Sequence, residues 1–302
     1  MYYLINLSTS GNKKAYNLFT AFMLVFTVAI FQSSAFAQVL FEDNFETGNL
    51  SKNQNGVQWG SQASTAVNTV NPRSGSYSLE FTFAGVANGQ DSFAEQRFAL
   101  GGNYPEVWIK YDLFIPTNYY HRTQTGSSSN NKSFVHLWTG EYSSRDGIGG
   151  GFEMWPNGNG FGTLKFHPFR PDFSHIDDTK RYPAGIDAND LGKWMQLVIQ
   201  VKAGAAGSND YLRGAKVRVW KSADGGPTSL IYSLDNAWFA DWQDPSNILY
   251  SSSGQNYFNN GYLLGWSNSG FSQATKLYID NVVIATTPLV DIDPPAYPAP
   301  DN

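Results

Sequence analysis

Between Ala94 and Trp138 the chain reads AEQRFAL, VWIKYDLFIP, YYHR and NNKSFVHLW, which sets Glu95, Arg97, His121, Arg122, Lys132 and His136 among aromatic residues. These residue types share a chemistry. Arginine offers a planar fork that matches a carboxylate, and lysine adds a compact positive charge. Histidine moves protons near neutral pH. In a chain with only 15% charged residues, this concentration describes a surface that grips a polar, anionic polymer. Further along, GFEMW, TLKFHPF and YLLGWSNSG add Glu153, Trp155, Lys165, His167, Tyr262, Trp266 and Asn268.

The elements that must position these residues are strands. Apolar residues recur at period two. Val107, Ile109, Tyr111, Leu113 and Ile115 share one face, as do Met195, Leu197, Ile199 and Val201, while Val217 and Val219 oppose Lys216, Arg218 and Trp220. Turn clusters such as NPRSGS, ANGQDS, PNGNG and SADGGP separate the runs. About a dozen strands without alternating helices predict an all-β fold, an antiparallel β-sandwich of the jelly-roll type, with one sheet face forming a concave groove.

Alternation assigns the faces. With Phe98 and Leu100 inward, Glu95 and Arg97 point outward beside Phe93. With Val135 and Leu137 inward, Lys132, Phe134, His136 and Trp138 point outward. The same reading turns Glu153, Trp155, Lys165, His167, Tyr262, Trp266 and Asn268 outward. Rings stack on sugar faces, and amide and guanidinium groups bind hydroxyls and carboxylates. Such aromatics have a second use, which is to cover a further buried layer under long loops. His121 and Arg122 fall in TNYYHRTQTGSSSNN, a polar loop long enough to close over the face as a lid.

The chain has 302 residues and a formal net charge of -5, with no basic stripe, which argues against a nucleic-acid partner. It has no cysteine, so disulfides and thiolate metal sites are excluded. Lys13 and Lys14 precede an apolar run from Ala15 to Phe31, and Ala35-Phe36-Ala37 follows. This is the pattern of a secretory signal cleaved after Ala37. The run is at the short limit for a membrane span, so the mature chain is expected to be secreted, periplasmic or on the cell surface, without a membrane partner. Prolines 294, 295, 298 and 300 mark residues 291–302 as a tail that cannot pair as a strand. Residues 38–290 are then one domain, expected to act as a monomer.

In order along the chain, FEDNFETGNLS, AEQRFAL, VWIKYDLFIP, NNKSFVHLW and LYIDNVVIA resemble secreted polysaccharide lyases of the concanavalin A-like jelly-roll type, the heparin lyase I-like and glucuronan lyase-like group. The resemblance spans most of residues 40–286. Its opening and closing strands are shared with non-catalytic laminin-G-like and lectin-like sandwiches, and the stretch from Glu95 to Trp138 leans toward the lyases. The arginine-rich strand and Gln-x-His motif of the alginate lyase jelly rolls are not present in full: there is one arginine, Arg97, and His136 sits in Val-His-Leu.

The resemblance implies an exported enzyme that cleaves a uronate-containing, acidic polysaccharide by β-elimination, with no cofactor required. Such a lyase neutralises the uronate carboxylate, removes the adjacent proton and protonates the leaving oxygen. Arg97 suits the first task, and a salt bridge with Glu95 is its other use. His136 suits the second, and a hydrogen-bonded structural role is its alternative. Lys165 and His167 are further catalytic candidates, Lys165 as a holder of carboxylate or sulfate. Tyr120 and Tyr262 are candidates for the acid. Glu95, His121, Arg122, Lys132, Trp138, Glu153, Trp155, Trp266 and Asn268 would contact substrate.

Two other functions fit parts of the pattern. A glycoside hydrolase needs two carboxylates across the sugar, and Glu95 and Glu153 are outward acids on separate strands, although the Glu-x-Asp-x-x-Glu signature of jelly-roll glucanases is absent. A non-catalytic carbohydrate-binding module would use the same aromatics. No Gly-x-Ser-x-Gly elbow or phosphate loop occurs. Glu42, Asp43 and Glu46 near the first strand, with Asp280 on the last, offer hard oxygen ligands for a structural calcium ion; ordinary turn acids are their other reading. Asp177, Asp178 and Asp187 form an acidic stretch without ligand spacing.

Overall fold

The alternating runs become strands, and fifteen of them build two sheets in the computed structural model, which describes residues 38–122, 131–142, 147–155, 159–169, 185–205, 214–234, 249 and 254–291. The signal segment, the centre of the expected lid (123–130), Asp177, Asp178 and the tail from residue 292 onward lie outside the described residues. Strands are numbered along the chain. The first sheet holds β1 (Val39–Asp43), β4 (Thr65–Asn68), β5 (Ser78–Phe83), β7 (Glu106–Ile115), β11 (Lys193–Lys202), β12 (Lys216–Ala223), β13 (Ser229–Leu234) and β15 (Thr275–Ala285). Its order is β13-β12-β11-β7-β15-β5-β4, with β1 also paired to β15. The second sheet holds β2 (Asn53–Gln54), β3 (Val57–Ala63), β6 (Ser92–Tyr104), β8 (Asn131–Trp138), β9 (Gly149–Trp155), β10 (Thr163–Phe169) and β14 (Phe258–Ser267). Its order is β10-β9-β8-β14-β6-β3-β2. The strands pair antiparallel, and the chain switches sheets repeatedly, as a jelly-roll sandwich requires.

The inward residues of both sheets meet in one core. Val107, Ile109, Tyr111, Leu113 and Ile115 from β7 join Phe98 and Leu100 from β6, Val135 and Leu137 from β8, Phe152 and Met154 from β9, Leu164 and Phe166 from β10 and Leu263 from β14, all buried. Each such side chain contributes about 1.5–3 kcal/mol on burial, so a core of this size holds the sandwich together without a disulfide. Gln96 is a polar residue on the inward side of β6. It is buried, accepts from Thr65 Oγ1 at 3.1 Å and donates to Gly60 O at 3.1 Å, so its amide is satisfied within the core.

Strict alternation fails on β8. It places Phe134 outward, yet Phe134 is fully buried in the core, packed on Phe152 with ring centroids 5.9 Å apart. The cause is a bulge. Ser133 and His136 face consecutive residues of β9, so Phe134 and Val135 are extra, and Phe134 takes a left-handed backbone (φ 60) that turns its ring inward. The outer face of the first sheet shows the other use of aromatics. Trp108 and Trp220 stack at 5.5 Å and are buried, with Leu289 and Val290 packed against their cluster.

Candidate active site

Strand register draws residues from five strands into one row on the outer face of the second sheet. Arg97 of β6 lies opposite Tyr262 of β14, Tyr262 opposite His136 of β8, His136 opposite Gly151 of β9, and Gly151 opposite His167 of β10. Paired strands are about 4.8 Å apart, so the Cα atoms of Arg97 and His136 are separated by roughly 10 Å, with Tyr262 between them. The register is held by the inward set, because a slip of one residue would expose the core.

His136 is recessed at the centre of this row. Its ring stacks on Tyr262, with centroids 4.7 Å apart and planes at 11°. It also overlies Gly151, where an added Cβ would come within 2.0 Å of its Cγ, so only glycine leaves the ring its place. Its Nε2 lies 3.2 Å from Phe152 O. A carbonyl only accepts, so Nε2 carries the proton, and Nδ1 is the atom of the neutral ring that can take another. His136 and Tyr262 are 3% and 2% exposed. Burial, the Tyr142 phenol bonded to it, and the nearby Glu95 and Glu153 push the Tyr262 phenol well above its ordinary range. At neutral pH Tyr262 is therefore a proton donor and not a tyrosinate base.

Arg97 makes the salt bridge with Glu95 that is its other expected use. Its Nε lies 2.6 Å from Glu95 Oε1, while the guanidinium stands 5.3 Å above the Tyr142 ring and 5.9 Å above the Trp138 ring. The side chain is 37% exposed. Its terminal amino groups make no hydrogen bond among the described residues, which leaves the fork available to a carboxylate. Trp138, expected to contact substrate, is instead a buried wall. Its Nε1 donates to Gly140 O at 3.0 Å, and its ring braces Tyr142 and Tyr262.

A second ionic group borders the row. Glu153 is fully buried, accepts from Trp155 Nε1 at 3.2 Å and lies 3.4 Å from His167 Nδ1. Lys165 pairs opposite Glu153, is 3% exposed, and holds its ammonium 4.8 Å over the Trp155 ring. Glu153 and Lys165 thus face the expected side but sit beneath the surface, while His167 is partly exposed. Lys132 lies opposite Glu153 by backbone register, and its side chain is outside the described residues.

Two expectations about the lid are corrected. His121 is 1% exposed, its backbone N–H donating to Gly160 O and its ring beside Gly162. Arg122 donates to three backbone carbonyls: Nε to Ser269 O at 2.9 Å, Nη1 to Val86 O at 3.0 Å and Nη2 to Ala87 O at 2.8 Å. Both residues anchor this segment, because uncovered carbonyls of two loops need donors and the guanidinium fork supplies them. Arg122→Ala is expected to cost about 2–3 kcal/mol. The check is a lower urea midpoint with an unchanged m-value. Tyr120 is 52% exposed beside Gly160, away from the row.

Trp266 faces outward, as the alternation of its strand predicts. It is 44% exposed, its Nε1 donates to Asp91 Oδ2 at 2.9 Å, and Phe93 supports its ring at 5.1 Å. Asn268 is half-buried two residues further on. One residue of the site escapes any reading by alternation. Tyr142 lies in the turn after β8, 41% exposed, in ring contact with Trp138 at 5.0 Å and Tyr262 at 6.0 Å. Turn residues carry no strand period, so no sequence signal pointed to it.

The four acids proposed for calcium do not converge. Asp43 accepts from Phe45 N and Trp59 Nε1, and Glu46 from Ser76 N and Tyr77 N. Asp280 accepts from the backbone N–H groups of Arg73, Ser74 and Asn281, and Glu42 is exposed. The carboxylates of Asp43, Glu46 and Asp280 are thus held by backbone N–H groups. Among the described residues no three His, Asp or Glu side chains are grouped to hold a metal.

No protein-family profile matches the chain, and no curated protein matches it. Solved structures share its fold. Alginate lyase vAL-1 from Chlorella virus superposes with a TM-score of 0.50 at 8% identity, over 82% of this chain and 99% of that one. A mutant of alginate lyase Aly36B in complex with alginate tetrasaccharide gives 0.44 at 15% identity, over 75% and 88%. A GH16 protein of Bacteroides ovatus in complex with a G4G4G3G product gives 0.46 at 12% identity, over 82% and 100%. At 8% identity the likeness to vAL-1 concerns the two-sheet sandwich itself.

Proposed function

We propose that this chain is an exported polysaccharide lyase that cleaves a uronate-containing polymer by β-elimination across the outer face of the second sheet. The observation that supports this reading best is the row Arg97–Tyr262–His136, in which a guanidinium fork, a protonated phenol and a histidine ring share one face. Arg97 neutralises the uronate carboxylate, which makes the adjacent C–H acidic. His136 Nδ1 removes that proton. The phenol layer protonates the leaving oxygen. Recessing these groups limits competition from water. The pattern of Lys13, Lys14 and the apolar run before Ala37 supports export.

Trp266 lies four residues from Tyr262 along β14, or about 13 Å at the rise of a strand. It would stack a sugar beyond the reacting one. Trp266→Ala is expected to raise KM for long chains about fivefold with kcat nearly unchanged, as loss of uniform binding does. Steady-state kinetics on long and short oligomers check this, and short oligomers should be unaffected.

The function itself is tested with alginate, glucuronan, heparinoid and pectic substrates. The product is followed by the ultraviolet absorbance of the unsaturated uronate that only elimination makes. New reducing ends without that absorbance would assign a hydrolase using Glu95 and Glu153. Binding with neither signal would assign a lectin-like module.

A further inference from the structure

Lys221 stands on the apolar face of its strand. Along β12 it continues the phase of Val217 and Val219, which are buried in the core, and it lies opposite Leu197 of β11. An amine on that face needs a partner, because a buried unpaired charge is costly. The partner comes from a single 3-10 turn, Ala188–Asp190, just before β11, with Ile186 and Leu191 on either side packed into the core. Lys221 Nζ lies 2.5 Å from Asp190 Oδ2 and 3.6 Å from Asp187 Oδ2. The side chains of Lys221 and Asp190 are 10% and 2% exposed, whereas that of Asp187 is 46% exposed. The backbone N–H of Asp187 donates to Asp190 Oδ2 at 2.7 Å. A C–O bond of about 1.2 Å then puts Asp190 Cγ within about 3.7 Å of the amine, close to the near-attack range of about 3–3.5 Å. One carboxyl group is thus held against the amine nearly out of water, and a second one, open to solvent, reaches the same nitrogen.

We propose that Lys221 and Asp190 join in an isopeptide bond that clamps β12 to the turn before β11. The ammonium first gives a proton to Asp190 Oδ2, its hydrogen-bond partner, which leaves a neutral amine and a neutral acid where two charges are costly to bury. The nitrogen lone pair attacks Asp190 Cγ, and the C=O electron pair moves onto Oδ1. Asp187 takes a second proton from the nitrogen and passes it to Oδ2. The pair on Oδ1 then returns to form the amide carbonyl, the Cγ–Oδ2 bond breaks, and Oδ2 leaves as water with both protons. The third ammonium proton remains as the amide N–H, and Asp187 ends as it began, so atoms and charge balance without any co-reactant. The Asp187 N–H steadies the departing oxygen, and the exposed side of Asp187 gives the water a way out. The linked residues are 31 positions apart. In a chain without cysteine, such a link restrains the unfolded chain as a disulfide does. It belongs to the first sheet and does not depend on the reaction proposed for the second.

The test begins with the intact mass of the unaltered, denatured protein, which is expected to be lighter than its sequence, counted from its observed first residue, by the mass of one water. A tryptic digest then locates the loss. Peptide 182–193, which holds Asp190, should be joined to one that begins at Val219 and runs uncut past Lys221. Both readings use the unaltered protein, so they stand whether or not a variant folds. Lys221→Arg keeps the positive charge and cannot form the link, so it should show the full mass and a lower urea midpoint. Asp187→Asn keeps both reacting groups and should slow linkage about 100-fold, read as the unlinked fraction of freshly made protein. The full sequence mass in the unaltered protein would overturn the proposal and leave Lys221 and Asp190 as an ion pair. A lost water mapped to any other site would overturn it as well, and linkage at an unchanged rate in Asp187→Asn would overturn the step assigned to Asp187.

Discussion

His136→Ala is expected to lower kcat/KM on a uronan polymer by about 100- to 1,000-fold while the protein stays folded. The ring belongs to the outer face, stacked on Tyr262 and lying over Gly151, and not to the core between the sheets. Its loss removes the proton acceptor and leaves the strand pairing of β8 with β14 and β9 intact. Arg97→Ala should cost a similar factor by a different route. It removes the fork and leaves Glu95, which is 6% exposed, without its partner beside an anionic substrate. Arg97→Lys should restore little, since a point charge cannot make the two parallel bonds of a guanidinium. Because the two groups act in one step, the double variant should lose hardly more than either single one. Near-normal rates in both single variants would remove this row as the site.

Gly151→Ala is expected to abolish activity almost as fully as His136→Ala, by about 50- to 100-fold, although it alters no group that takes part in the chemistry. The new methyl would lie 2.0 Å from His136 Cγ and 2.2 Å from its Nδ1. The ring must leave Tyr262 and the Phe152 carbonyl, and the crowding should cost about 1–3 kcal/mol of stability. The double variant Gly151→Ala with His136→Ala separates this cause from others. It should be no less active than His136→Ala alone and more stable than Gly151→Ala alone, because the clash is gone. Urea midpoints and rates across the four proteins give the coupling between the two sites. Wild-type turnover in Gly151→Ala would show that the position of the ring is immaterial.

Much of this architecture was legible residue by residue. Period two turned Glu95, Arg97, His136, Glu153, Lys165, His167, Tyr262 and Trp266 to the outer faces of their strands, because the apolar residues between them had to be buried. The misses have separate physical causes. Phe134 was misplaced because a bulge adds residues to one strand and shifts its phase, and nothing in NNKSFVHLW marks it. Trp138 lies on the expected face but is walled in by Tyr142 and Tyr262, and exposure is a property of neighbours, not of alternation. Arg122 looked like a ligand for substrate because its type suits anions equally well as it suits backbone carbonyls.

By itself, the sequence determined the β-sandwich class, the facing of the strands wherever no bulge intervenes, and the absence of disulfides, because these depend on local period and composition. Only the tertiary structure decided that Arg97, Tyr262 and His136 stand in one row, that Gly151 makes room for the ring, and that Tyr142 reaches them from a turn. Those facts depend on which strand lies beside which and in what register. That is settled by the packing of a core drawn from the whole chain, and no local pattern encodes it.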